Sequence, residues 1–584
     1  MAAVGSAAID TWYARPVAEC TNNGDGLASN CASSAGASGA FNSLANIIWT
    51  ATTGVDDGDT LCISGKHREE FTLGAVSGTA PLPILIKGNC AGVTAGTISG
   101  ADIETTWAAI DGNGNQVSTN TFTTPLFVLV DGVAARHGSA LGSLNAGEWY
   151  FSGSKIHYHG DVTGKVIEVA VRGYGIDGVT NAQSYVNISG LRIEANRNQD
   201  SRAGIMFKDC AHILVENVTL YAQRKAVETG GTCNDFRLTA STISLAGDGL
   251  DMIENVTKPY NIRYDYNTVS GLVLGGTDFW ASVAESTHGI TIDHECIATT
   301  NGGSDYIIEY NTVFNCNDGI IFLYNTDVTG VTIRGNTVYD HFDEAIQVSC
   351  TDGCVTKGEI TGNRIYRGGY VSGGNASYAI ITEGAVVGSA PGSKIDVTHN
   401  TIYGWSNGIG INPFNATVGY SYGNVTNNIV ADAVFNTACG TSSCSFAADN
   451  WQNMVAGGAT INNNLYFNTD TNHALGFNMP GFAIRHTLSA HKTDMSPSES
   501  NSVNTDPLFI TPGSNFGLQL NSPAENAGIV VGPCTDYRGR ACYPNRRNMG
   551  AWVRSSGDQP STLSAASTRS AASARSAASA RTAR

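Results

Sequence analysis

Proline is scarce in this chain, 15 of 584 residues, and charged side chains make up only 14% of it. Stretches rich in Ala, Glu, Lys and Leu are also few, which disfavours a mainly helical fold. No run of about 18 apolar residues occurs, so no helical membrane span is expected. Basic residues are outnumbered, 33 against 50 acidic ones, for a net charge of −17. That balance argues against a nucleic-acid partner. It also means that an anionic substrate would need a local basic patch or a bound cation. No Cys-x-x-Cys pair, zinc-spaced Cys/His cluster, GxSxG, HExxH or P-loop motif occurs, which removes the chemistries those motifs carry. The opening residues MAAVGSAAIDTWYARP lack the charged and apolar regions of a signal peptide. A secreted protein would then be in its mature form or leave by another route.

What the chain does have is glycine, 68 residues, and an internal repeat. Strand-like pieces recur as ISGLRI, VENVTL, LTASTI, YDYNTV, IEYNTV, IRGNTV, ITGNRI, VTHNTI, VTNNIV and INNNLY. Their fourth positions form one column: Leu191, Val218, Ser241, Asn267, Asn311, Asn336, Asn363, Asn400, Asn428 and Asn464. Most steps are 23 to 28 residues, and steps of 44, 37 and 36 imply inserted loops. One supersecondary unit per step marks a solenoid. With coils about 4.8 Å apart, the asparagines are expected to hydrogen-bond as a ladder. A second column is small: Gly204, Ala226, Gly249, Gly289, Gly319, Ala345, Ala379 and Gly408. Alternating apolar residues follow each one, as in a strand entered through a tight bend. The expected fold is therefore all-β, a single-stranded right-handed parallel β-helix.

The organisation expected is an irregular cap with first rungs over 1–180, regular rungs over 181–475 and a closing segment over 476–553. The Ser/Ala/Arg-rich tail, 554–584, reads as disordered. The cysteines fall into seven local pairs: Cys20 with Cys31, Cys62 with Cys90, Cys210 with Cys233, Cys296 with Cys316, Cys350 with Cys354, Cys439 with Cys444, and Cys534 with Cys542. Such pairs fit disulfides and an extracellular or cell-surface location.

The repeat register also points to a candidate site. Residues just before the small column should share an outer face: Ala203, Lys225, Asp248, His288, Asp318, Glu344, Tyr378 and Asn407. A parallel outward column holds Met206, Glu228, Asp251, Thr291, Ile321, Gln347, Ile381 and Gly410. Cleaving a uronate polymer by elimination needs a base, a cation for the developing anion and an acid for the leaving oxygen. Lys225 or His288 would be the base. Asp248, Asp251 and Glu228 would hold a hard cation such as Ca²⁺. Arg224, Arg202 and Glu344 would contact substrate. Hydrolysis would instead use a carboxylate pair from Asp248, Asp251 and Asp318. Asp before Gly at a corner is also ordinary turn chemistry. Trp280, Trp405 and Tyr366 are candidates to stack on sugar rings.

The GDTLCISG opening, the NTV and DGI rungs, and the ending DPLF, SPAENAG and MGAWV resemble secreted bacterial right-handed β-helix proteins. That group includes polysaccharide lyases, some glycoside hydrolases and phage tailspikes. FRLTASTISLAGDGLDM resembles the calcium rung of one pectate lyase group, with Asp248 and Asp251 at two of its aspartate positions. Gly247 stands where another aspartate would be, and the expected downstream lysine is missing from AESTHGITI. The resemblance implies a polysaccharide partner and cleavage by β-elimination on the lateral face, with a lyase favoured over a hydrolase. The alternatives are a carbohydrate-binding or adhesion protein, or a self-associating filament subunit.

Overall fold

In the computed structural model the chain winds into a parallel β-helix. The structure describes residues 9–50, 53–108, 110–197, 202–252, 259–271, 273–274, 277–278, 295–299, 303–324, 327–341, 343–350, 356–369, 377–384, 394–413, 423–432, 445–449, 460–469, 475–478, 487–494, 499–530 and 547–551. Each regular coil contributes to three sheets, the second and third sometimes as one bent strand, as in Thr219–Gly230. One coil runs Gly303–Glu309, Thr312–Phe314 and Asp318–Tyr324. The next runs Val328–Arg334, Thr337–Tyr339 and Ile346–Cys350. Stacking puts like residues in line: Ile308, Ile333, Ile360 and Val397 on the first sheet, and Val313, Val338, Ile365 and Ile402 on the second. Ile320, Ile346, Ile380 and Ile409 line up on the third. All twelve are buried, and burying each such side chain contributes roughly 1.5–3 kcal/mol. β-branched residues suit this work because their stiff χ1 matches the strand backbone.

The corner between the first and second sheets explains the repeat motif. Its first residue adopts a left-handed backbone in ten coils: Gly190, Asn217, Ala240, Tyr266, Tyr310, Gly335, Gly362, His399, Asn427 and Asn463. Glycine at 335 and 362 meets that demand without a Cβ clash. The next residue is the predicted ladder position. Each asparagine from Asn267 to Asn428 donates Nδ2–H to Oδ1 of the asparagine one coil on, at 3.0–3.1 Å. That Oδ1 also accepts the backbone N–H of the asparagine before it. Ser241 abuts one end, donating its N–H to Asn267, and Ser502 the other, accepting from Asn464 N–H.

Regular stacking begins earlier than the motif does. Thr60–Ile63, Gly65–His67 and Phe71–Thr72 already form a coil in register with later ones. The irregular look of the first 180 residues comes from an excursion between Gly96–Ser99 and Ile176–Gly178. It builds two small antiparallel sheets around Phe127, Leu129, Trp149, Ile156 and Val169. This second core packs on Ala195 and Ala222 at the corner between the second and third sheets.

Four of the seven expected disulfides are present: Cys20–Cys31, Cys62–Cys90, Cys210–Cys233 and Cys296–Cys316. The other three are not among the described bonds. The pair expected of Cys350 with Cys354 has one member, Cys354, outside the described residues. Cys439 and Cys444 both lie outside them, as do Cys534 and Cys542. The 554–584 tail lies outside them too. Among the described residues no helix is long and apolar enough to cross a membrane.

Two readings need correction. The small column at the sixth coil is filled by Cys296 rather than Gly289, because Ile297 pairs with Leu250 and Ile320. Cysteine is small enough to sit where the other coils use glycine or alanine. Trp405 is fully buried, donating Nε1–H to Ser377 Oγ at 3.2 Å, so it presents no face to a sugar. Tyr366 is packed between Tyr339 and Phe516, its ring centroid 5.0 and 5.2 Å from theirs. Trp280 lies outside the described residues.

The far end is closed by Glu499, a buried carboxyl whose Oε1 accepts from Tyr466 Oη–H at 2.8 Å. Burial pushes its pKa up to about 7, against the hydrogen bonds from Ser502, Tyr466 and Asn464. An unfolded chain releases this proton near 4.5 while the folded one keeps it to about 7. Stability should therefore fall as pH rises across that window, by of order 3 kcal/mol, and level off above it. Thermal unfolding of Glu499→Gln against pH checks this, since the variant should lose the decline. An unchanged slope would show that other groups govern it.

Candidate functional site on the third sheet

The third sheet starts at a bend, and its register brings one residue per coil to the same outer row. Lys225 pairs with Asp248, and Glu228 with Asp251. Glu295 pairs with Asp318. Asp248 and Glu295 each stand two residues before the matched pair Leu250 and Ile297. Asp318 and Glu344 each stand two before Ile320 and Ile346. The row is therefore Lys225, Asp248, Asp318 and Glu344, with position 295 in backbone register between Asp248 and Asp318. His288, expected in it, lies outside the described residues, and its position is taken by Glu295. Five coils at about 4.8 Å span roughly 19 Å, enough for several sugar units.

The first cluster on this row is closed on itself. Lys225 Nζ lies 2.6 Å from Asp251 Oδ2 and 3.2 Å from Glu228 Oε2. Lys225, Glu228, Asp248 and Asp251 are all buried. Burial alone would lower the pKa of Lys225, but Asp251, Glu228 and Asp248 outweigh it and raise it above the ordinary value. Lys225 is thus held as an ammonium beside these carboxylates. The same ammonium supplies positive charge beside Asp251 and Glu228, the part a calcium ion would play there. Burial, and then the charge of Asp251, push Glu228 up to about 7. Arg224 is also buried. Its charge acts on Glu228, and it is not presented to a substrate carboxylate. Arg202 is exposed. Its guanidinium sits 5.1 Å over the Tyr174 ring, where it can meet a ligand at the edge of the face.

The second cluster is open. Oxygens of Asp318, Asp343 and Glu344 lie within 4.8 Å of one another, and all three residues are half-buried. Local structure fixes them. Glu344 N–H donates to Asp318 Oδ1 and Asn317 Nδ2–H to Oδ2, both at 3.1 Å. Asp343 N–H bonds Asn317 O at 2.9 Å, and Ser377 Oγ–H bonds Asp343 O at 2.7 Å. Burial and the charge of Asp343 push Asp318 up to about 6. Burial, then Asp343 and Asp318, hold Glu344 well above the usual carboxyl range. Three carboxyls this close cannot all ionise cheaply, so the cluster keeps a proton or takes a cation. Its oxygen donors fit a hard divalent ion, which would supply positive charge toward a substrate anion. Sequence reasoning missed Asp343, which lies beside the repeat column; an acid doublet entering the bend was the available signal.

The excursion over residues 101–170 is tied to the solenoid near the corner between the second and third sheets, at the coils of Arg197 and Tyr221. Tyr221 Oη accepts from Ala134 N–H at 2.8 Å, and Arg197 Nε–H donates to Thr124 O at 2.9 Å. Residues 174–365, which hold both clusters, match the family model described as the right handed beta helix region. The fold of the chain is that of a right-handed parallel β-helix. The solved complex of XylC with xylose is similar over 93% of this chain and 98% of its own, at 11% identity and a TM-score of 0.54. A solved glycoside hydrolase is similar over 71% and 96%, at 12% identity and a TM-score of 0.47. Pectate lyase Pel9A is similar over 94% and 98%, at 12% identity and a TM-score of 0.32. Likeness at such identities is one of fold. No curated protein matches the sequence.

Proposed function

We propose that the chain is an extracellular protein that cleaves a polysaccharide on the lateral face of the solenoid, by hydrolysis at Asp318, Asp343 and Glu344. The convergence of these three carboxyls within 4.8 Å carries the reading. Glu344, holding its proton at neutral pH, donates it to the glycosidic oxygen as the bond breaks. Asp318, oriented by Glu344 N–H and Asn317 Nδ2–H, attacks the anomeric carbon. Glu344, now ionised, takes a proton from the water that releases the sugar. Burial, and then the charge of Asp343, keep Glu344 protonated. Oxygens within 4.8 Å of one another favour the closer pair of retaining enzymes over the wider pair that inverting enzymes need. The four disulfides support an extracellular or cell-surface location.

A second reading is β-elimination of a uronate polysaccharide, with Ca²⁺ held by the same three carboxylates. The net charge of −17 favours it only if a cation bridges protein and substrate. It ranks second because Lys225 keeps its proton and no other base is evident in the described row.

The test is to incubate the protein with neutral and uronate polysaccharides, with calcium or EDTA. Hydrolysis gives new reducing ends without the ultraviolet absorbance of an unsaturated uronate. That absorbance, abolished by EDTA, would establish elimination. Neither signal, with retained glycan binding, would leave a binding or adhesion protein. Asp343→Asn should move both limbs of the pH–rate profile to lower pH by of order one unit, because Asp343 raises both partners. Unmoved limbs would remove Asp343 from the site.

A further inference from the structure

The excursion over residues 101–170 carries a second constellation, unrelated to the acid row. Lys155–Tyr158 alternates strictly: Ile156 and Tyr158 are buried with Trp149, so His157 and His159 face the other way. Pairing continues through His159, whose N–H bonds Glu148 O at 2.9 Å and whose O accepts Gly147 N–H at 2.7 Å. Two residues apart on one strand face, the imidazoles stand about 7 Å apart at Cα.

Both rings are held by their Nδ1 atoms on one turn, residues 111–115. His157 Nδ1 lies 2.9 Å from Asp111 Oδ2, and a carboxylate can only accept, so Nδ1 carries the proton. His159 Nδ1 lies 2.9 Å from Asn115 Oδ1. The Asn115 amide cannot be turned round, because its Nδ2–H groups already serve Asp111 Oδ2 and Leu141 O, both at 3.2 Å. His159 Nδ1 is therefore also the donor. Asp111 is fixed in turn by Asn113 N–H and Asn115 N–H on its other oxygen. Each neutral ring is thus locked in the tautomer that leaves a lone pair on Nε2. Neither Nε2 is a closed-off buried atom among the described residues.

A histidine whose Nδ1–H is held by a carboxylate or carbonyl, with Nε2 bare, is the arrangement that orients metal-ligating imidazoles. We infer that His157 and His159 form a chelating site for a divalent transition-metal ion such as Zn²⁺, Ni²⁺ or Cu²⁺. Asp111 and Asn115 position the two rings, and water or a bound ligand completes the coordination. Imidazole nitrogens select these borderline ions over Ca²⁺ or Mg²⁺, which separates this site from the carboxyl cluster.

Calorimetric titration of the whole protein with Zn²⁺, in excess Ca²⁺, tests the site. One equivalent should bind to the unaltered protein and to Asp318→Asn. His157→Ala and His159→Ala should each abolish that equivalent with the thermal midpoint unchanged. Asp111→Asn should weaken it about 10–100-fold, the usual effect of removing a partner that orients a ligand. Absence of Zn²⁺ binding, its displacement by Ca²⁺, or its survival in either histidine variant would overturn the proposal. Should a histidine variant unfold, protection of His157 and His159 by Zn²⁺ from imidazole-directed modification of the unaltered protein decides. Equal labelling with and without the ion refutes the site.

Discussion

Asn336→Ala should cost about 3–6 kcal/mol and broaden unfolding, although the side chain lies far from any surface. Its Nδ2–H groups reach Ile308 O at 2.9 Å and Asn363 Oδ1 at 3.0 Å. Its Oδ1 accepts Asn311 N–H at 2.9 Å and Asn311 Nδ2–H at 3.1 Å. Truncation takes one of the bonds to Ile308 O and leaves two hydrogens of Asn311 without partners in a dry corner, at about 1–3 kcal/mol for each orphaned group. Water cannot easily substitute where Asn311 and Asn336 are at most 1% exposed. Chemical denaturation of Asn336→Ala beside Thr268→Ala, an exposed position of the second sheet, gives the comparison. A loss below about 1 kcal/mol would mean that the ladder is decorative, since that is the worth of one average hydrogen bond.

Glu344→Gln should lower glycan cleavage by about 10²–10⁴-fold while leaving thermal unfolding nearly unchanged, the range expected for removing a general acid. Asp318→Asn should fall similarly, because the amide keeps the bond from Glu344 N–H but cannot attack carbon. The two losses should not multiply in the double variant, since both groups serve one step. The anomeric configuration of the first product, read by NMR, should be that of the substrate. Inversion would place the second carboxylate elsewhere on the row. Full activity in Glu344→Gln would move the chemistry off this cluster.

The solenoid was readable because its coils repeat one demand: a left-handed residue, an amide, a β-branched pair, a small bend residue. The asparagine ladder and four of the disulfides followed from spacing alone. What spacing cannot give is the partner of a side chain. Lys225 reads as an outward cation, but Glu228, three residues on, and Asp251, one coil away, both reach its ammonium. Column logic also failed at Cys296, where smallness rather than glycine was the real requirement. Asp343 was overlooked because it precedes the column residue by one position. The excursion over 101–170 follows no repeat, so its antiparallel sheets and its histidine pair were invisible to periodicity.

The ladder of amides has a sense of direction. From Asn267 to Asn464 every side-chain carbonyl accepts from the earlier coil. Every backbone N–H in the column donates to the later one. Such a line is polar in the way a one-way street is: a coil arriving after residue 464 meets a waiting donor, and one arriving before 267 meets a waiting acceptor. Ser502 meets that donor and Ser241 that acceptor, and Ser241 Oγ passes the pattern on by accepting Val218 N–H. A chain cut before residue 499 would present an unanswered donor to any other coil able to accept it. Its growth would then run head to tail, between molecules rather than within one.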